Sequence, residues 1–385
     1  MDKVDLSQFQ FEGLEAQHLS DLRSLDEHDR ERLLMSGVDV SELGRSGSFL
    51  HMDHAEAYCN TKNEGVEIMD IKDALKKYDG LPEYFWKLVD KDKDDYTRKA
   101  NEVLQGGYFI RTRPGAKIKE PVQSCLFIKS QKAGQSVHNI VIVEEDSELH
   151  IITGCAVSRD TQSSAHIGIS EFFVKKNAKL TFTMVHNWGE NVSVVPRSAG
   201  VIEEGGVFQN NYVLLKPVKY LQMYPTLTLA GRGAVARFNS VMVAPKGSHI
   251  DSGNRIILNA PDTRGEIISR TISTGGTIIA RGDIQAYAVP ARGHLECKGL
   301  ILGGGVIHAI PELKGAAEGV ELSHEAAVGK IAQEEIEYLM ARGLDEEEAT
   351  STIVRGFLNV DIMGLPAKLK ESIDRTIEES QKDMF

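Results

Sequence analysis

Residues 293–331, GHLECKGLILGGGVIHAIPELKGAAEGVELSHEAAVGKI, concentrate one thiol with imidazoles and carboxylates, among them Cys297, His308, His324 and Glu325. A thiolate joined to imidazole suits iron, copper or zinc better than magnesium, because soft and borderline donors match those ions. Cys297 and His324 are 27 residues apart. In a stacked solenoid, positions one coil apart lie about 4.8 Å from each other. The spacing therefore predicts a thiolate close to an imidazole and a carboxylate, with His308 as a reserve ligand. Each residue also has a plainer role: Cys297 as a core thiol, His324 as a surface histidine, Glu325 as an acid favouring a helix N-terminus.

Other chemistry-bearing motifs are weak. The chain has no GxxxxGK[ST] phosphate loop, HExxH, GxSxG or EF-hand loop. LAGRGAVARF holds a lone GxG, and LGGGVIH lacks the following helix that a phosphate cradle uses. Cys59, Cys125 and Cys155 form no CxxC pair and read as buried structural thiols.

Three zones must position the cluster. Residues 1–112 are charged and read as a mostly helical domain: LSDLRSLDEHDRERLLMSG stops at Gly37, and DIKDALKKYDGLPEYFWKLVD breaks at Gly80. Residues 113–325 alternate with period 2. In AKLTFTMVHNW, Leu180, Phe182 and Met184 share one face and Thr181, Thr183 and Val185 the other. No helical pattern interrupts these strands, which excludes βαβ units. Turn signals at Asp146, Asn177, Gly205, Gly233, Gly265, Gly293 and Gly319 recur every 26 to 32 residues. That interval is in the range of a solenoid. The predicted fold is mainly β: a parallel β-helix flanked by helical domains, in preference to a β-sandwich with turns every 8–12 residues.

Residues 326–385 read as helical again, with AAVGKIAQEEIEYLMARG ending at Gly343. Asp345 and Glu348 fit a capping box, and Ile353, Val354, Phe357 and Leu358 make an apolar stripe. Pro366 suits a first helical position, and Leu369, Ile373 and Ile377 form a second stripe. Such stripes suit either a partner or the chain's own β domain.

Composition narrows the function. The 385 residues carry a net charge of −12, which argues against a nucleic-acid binder. No apolar run approaches the roughly 20 residues that span a bilayer, and the N-terminus has no signal-peptide core, so a cytoplasmic protein is expected. A β-helical polysaccharide enzyme would need a groove of paired acids. The strand-like stretches here have few acids, and aromatic residues make up 6% of the chain.

Several separated blocks, in order, resemble the SufB/SufD family, core subunits of the SUF machinery that assembles iron–sulfur clusters. They are ELHIITGCA, VHNWGE, GEIISRTIST, HLECKGLIL, IHAIPEL, ELSHEAAVGKI and the tail GLDEEEATSTIVRGFL followed by LP. The resemblance implies a right-handed parallel β-helix between helical termini. It also implies docking of SufC, an ABC-type ATPase, on the C-terminal helices, so that ATP is hydrolysed by the partner and the chain is a scaffold, not an enzyme. SufB-type members place a cysteine of the final strands and the His-Glu pair at the cluster site, which maps onto Cys297, His324 and Glu325. The SufD type tends to have glycine after the histidine, so Glu325 puts this chain nearer SufB. The alternative is a SufD-like structural subunit with no cluster of its own.

Two departures matter. Larger SufB proteins carry another cysteine, linked to sulfur entry, before the strand matching GVFQNNYVLL; here the region reads PRSAGVIEEGG. The chain is also a compact form, expected to pair with itself. A transient [2Fe–2S] or [4Fe–4S] cluster needs about four protein ligands. Two copies of Cys297, each with Glu325 or His324, would supply them across a two-fold seam.

Overall fold

The computed structural model describes residues 4–14 and 17–358. Its centre is a β-solenoid of about eight turns, formed by two long sheets of mostly parallel strands. The first sheet runs through Val122–Ile128, Glu148–Val157, Lys179–Asn187, Val207–Leu214, Val235–Pro245, Thr263–Thr274, Ala291–Ile301 and Val320–Gly329. The second includes Gly134–Val143, Ser164–Val174, His249–Leu258, Thr277–Ala286 and Val306–Gly315.

Alternation explains how the coils close. Leu180, Phe182 and Met184 face the interior, while Val185 belongs to an apolar cluster on the outer face. Between the sheets Phe172 packs on Phe182 and Phe208, with ring centroids 4.9 and 5.2 Å apart. Burying each such side chain contributes about 1.5–3 kcal/mol. At one corner the backbone turns through left-handed residues, Asp146, Asn177, Gly205, Gly233 and Asp262, with φ between 53° and 70°. Glycine, asparagine and aspartate tolerate that region best. The side chains stack as well, Asn177 Nδ2 donating to Asp146 Oδ1 at 3.0 Å. Gly265 and Gly293, expected as turns, lie inside strands. Gly293 is required by close packing, since a Cβ there would sit 2.7 Å from Ile284 and Leu322.

The first zone carries the expected flanking helices, and strands share it with them. Helices Glu27–Met35, Ile71–Lys77 and Asp95–Glu102 are joined by strands Gly47–Met52, Ala55–Thr61, Val66–Asp70 and Tyr108–Thr112, which extend both sheets. These strands are short, and GSFLHM is buried on both faces, so it lacks the alternation that marks a half-exposed strand. Helix Glu27–Met35 is capped by Asp26, which accepts from the Asp29 amide, and the chain leaves it through Gly37 at φ 89°.

The last zone also differs from expectation. AAVG, read as helical, is the end of strand Val320–Gly329, and helix begins only at Gln333. The capping box is present: Asp345 Oδ1 accepts from the Glu348 amide at 2.8 Å, and Glu348 Oε2 from the Asp345 amide at 3.0 Å. It starts helix Glu346–Leu358. Val354 and Leu358 of its apolar stripe are buried on the solenoid's outer face against Val185, Val213, Val241, Ile272 and Leu302. That face of the stripe is therefore satisfied within the chain. Pro366, Leu369, Ile373 and Ile377 lie outside the described residues.

Candidate functional site

Cys297 lies on Ala291–Ile301, the penultimate strand of the first sheet, and His324 and Glu325 lie on Val320–Gly329, the last. The strands pair in parallel with Leu295 opposite His324, Glu296 opposite Glu325 and Cys297 opposite Ala326. Because side chains alternate along a strand, Cys297 and His324 share the inner face, offset by one inward position. Glu325 stands on the outer face with Glu296 and Lys298. His308 is on Val306–Gly315 of the other sheet, opposite Ile279, and is exposed. Its neighbours Ile307 and Ala309 pack inward, so alternation turns His308 outward, away from the thiol. Sequence spacing thus brings three of the four residues to one pair of strands but not to one point. Among the described residues, no group of three or more His, Cys, Asp or Glu side chains is arranged to hold a metal ion.

The thiol is 2% exposed and belongs to the central core. Burial pushes its pKa up to about 11; Glu296 adds to this and Arg270 opposes it. At neutral pH it is a thiol, so binding a soft metal requires it to lose a proton. Inward, it continues a register column of hydroxyls: Tyr212 pairs with Ser240, Ser240 with Ser269, and Ser269 with Cys297. Farther along the interior is a cavity of about 40 Å³ lined by His166, His186, Tyr212, Asn139 and Asn254 among others. Its volume suits a few waters at most. Tyr212 Oη lies 2.8 Å from His186 Nδ1, and burial drives both groups toward their neutral forms.

The outer face beside Cys297 is ionic. Lys298 Nζ lies 3.1 Å from Glu325 Oε1 and 3.3 Å from Glu296 Oε2. Glu296 also pairs with Arg270. Burial works to raise the Glu296 pKa, but Arg270 and Lys298 outweigh it and hold it below the ordinary carboxylate value. Arg270 lies over the Phe357 ring of the C-terminal helix, 6.0 Å from its centroid. Sequence reasoning missed Arg270, Glu296 and Lys298. The available signal was the alternation of HLECK, in which the residues flanking the cysteine carry opposite charges.

The two terminal strands leave an uncovered end. Val320–Gly329 and Val306–Gly315 are the last strands of their sheets and are paired on one side only, among the described residues. Val306, Leu313 and Val328 are 54%, 39% and 40% exposed. The other cysteines lie elsewhere: Cys125 and Cys155 are fully buried, and Cys59 is half-buried with its pKa pushed up to about 12 by burial.

The fold is one of stacked coils with one thiol near an open final edge, and similarity to known proteins gives its class. Residues 126–357 match the SufBD core domain of SUF system FeS cluster assembly. An iron–sulfur cluster assembly SufBD family protein of Archaeoglobus fulgidus is 54% identical over 358 residues, 93% of this chain and 96% of the relative. One from Methanothermobacter thermautotrophicus is 44% identical over 390 residues, covering 100% and 95%. The iron–sulfur cluster assembly protein SufB of Bacillus subtilis is 32% identical over 323 residues, covering 82% and 69%. The chain belongs to the SufBD family of iron–sulfur cluster assembly proteins. No described helix is long and apolar enough to cross a membrane.

Proposed function

We propose that the chain is a cytoplasmic scaffold on which iron–sulfur clusters are built as cargo, at a seam between two copies, with ATP hydrolysed by a SufC-type partner. The observation that carries this reading is the position of Cys297, a single strand from an uncovered sheet edge that bears His324 and Glu325. Within one chain the three side chains do not converge, and one thiol is too few for a cluster that takes about four ligands. A second copy laid against the open end doubles the donor set and covers Val306, Leu313 and Val328. Mixed thiolate, imidazole and carboxylate donors alter the charge and lability of a bound cluster compared with four thiolates, which suits a protein that must release it.

The SufC-type partner is assigned to the C-terminal region. Val354 and Leu358 are occupied within the chain, whereas Tyr338, with Arg342 over its ring, and Met340 of helix Gln333–Met340 are 58% and 41% exposed. One observation favours the second reading, a SufD-like subunit without a cluster: the thiol is buried and protonated, and Glu325 is engaged by Lys298. Anaerobic reconstitution of the full chain with iron and sulfide separates the two. The scaffold reading expects a coloured product absorbing in the visible, lost in Cys297→Ser, and a dimer in sedimentation. A colourless product, or colour unchanged in Cys297→Ser, overturns it.

A further inference from the structure

We propose that Lys298 is a positioning residue that holds Glu325 on the outer face, and that the seating of helix Glu346–Leu358 sets this hold through Phe357, Arg270 and Glu296. This deepens the reading above and rests on Glu325 being an iron ligand. The geometry is a chain of shared partners. One ammonium serves two carboxylates, with Nζ 3.1 Å from Glu325 and 3.3 Å from Glu296. Glu296 is itself divided between Lys298 and Arg270, and Arg270 lies against Phe357. Phe357, like Leu300 and Ile331, packs against the apolar cluster that seats the helix on the solenoid.

Charge balance gives the direction of coupling. While Arg270 neutralises Glu296, Lys298 has charge to spare for Glu325. If the helix shifts and Arg270 loses its aromatic support, Glu296 draws Lys298 more strongly, and Glu325 is released. Alternation keeps the inner-face thiol and the outer-face carboxylate of one chain apart, and this bond also occupies the carboxylate. Glu325 must leave Lys298 before it can join an iron held with a second copy. The lysine side chain is 30% and the glutamate 57% exposed, so the restraint is weak enough to be reversible.

Anaerobic ferrous-iron titration of the full-length protein tests this, with metal affinity as the readout and thermal unfolding as the fold control. Lys298→Met should tighten ferrous binding about threefold, the scale of a part-exposed ion pair. Phe357→Leu, which keeps apolar packing and removes the ring, should tighten it by less. Lys298→Arg should restore the native affinity, a rescue that a merely structural role would not give. All of these gains should vanish in a Glu325→Gln background. If Glu325→Gln weakens binding but Lys298→Met leaves it unchanged, the positioning role is overturned and the ligand reading stands. If Glu325→Gln has no effect, both fail.

Discussion

The two ends of the solenoid are finished in opposite ways. At the first end, Ala55–Thr61 pairs antiparallel with Gly47–Met52, and Val66–Asp70 pairs antiparallel with Tyr108–Thr112. Helices and loops lie over this region, with Asp29 and Asp26 gripping Lys129, and Glu171 accepting from the amides of Trp86, Leu88 and Val89. At the last end, the final strands are bare on one side among the described residues, and most of their side chains are exposed. An open strand edge invites association with another chain. Repeat folds commonly protect both ends, so one capped end and one open end point to a specific use for the second.

Acid should expose the largest difference. Burial lowers the pKa of His51 and His166 to about 3 and that of His186 well below its usual value, and all three lie in the first half of the chain. Each is neutral when folded, while the unfolded chain takes up a proton below about pH 6.5, so stability falls as pH falls through that value toward 3. Between pH 7 and pH 5 each histidine should cost roughly 2 kcal/mol. Hydrogen exchange across that interval should show the capped half losing protection before the open half. Uniform loss would erase the contrast.

Core truncation ranks next. Phe49 is 1% exposed and packs edge-on against Tyr108 at 6.1 Å. Phe49→Ala should cost about 3–5 kcal/mol in chemical denaturation. Leu322, half-buried at the open end, should cost less than about 1.5 kcal/mol when truncated to alanine, because it leaves no enclosed cavity. Equal costs would mean that the open end is covered in the isolated protein. The smallest effect on stability, within about 0.5 kcal/mol, is expected of Val328→Glu at the open edge. The same change should lower the sedimentation mass of any self-paired form, and an unchanged mass would place the seam elsewhere.

Much of the fold was legible because local pattern and tertiary environment agreed. AKLTFTMVHNW alternates because one face meets the interior, and Asp345 with Glu348 reads as a helix start because both side chains satisfy free amides. Asp146, Asn177, Gly205 and Gly233 were readable as corners because the left-handed backbone selects those residue types. Gly265 and Gly293 gave a false signal because glycine also serves where strands pack tightly. The site was legible as residue types but not as geometry. Cys297 pairs with Ala326, so the coil advance there is 29 residues, not 27. A discrepancy of two keeps His324 on the thiol's face, whereas the residue after it faces the other way. Register of that precision comes from the corners, whose lengths vary from coil to coil.

The stacked corners carry a consequence for how such a chain can change over evolutionary time. Each coil touches only the ones before and after it, and the faces of Cys297, His324 and Glu325 are decided by the last two alone. Insertion or loss of one whole coil in the middle would shift the terminus by about 4.8 Å without turning any donor atom over. The solenoid is then a ruler of adjustable length, and relatives of different size can keep the same chemistry while altering the reach between their two extremities.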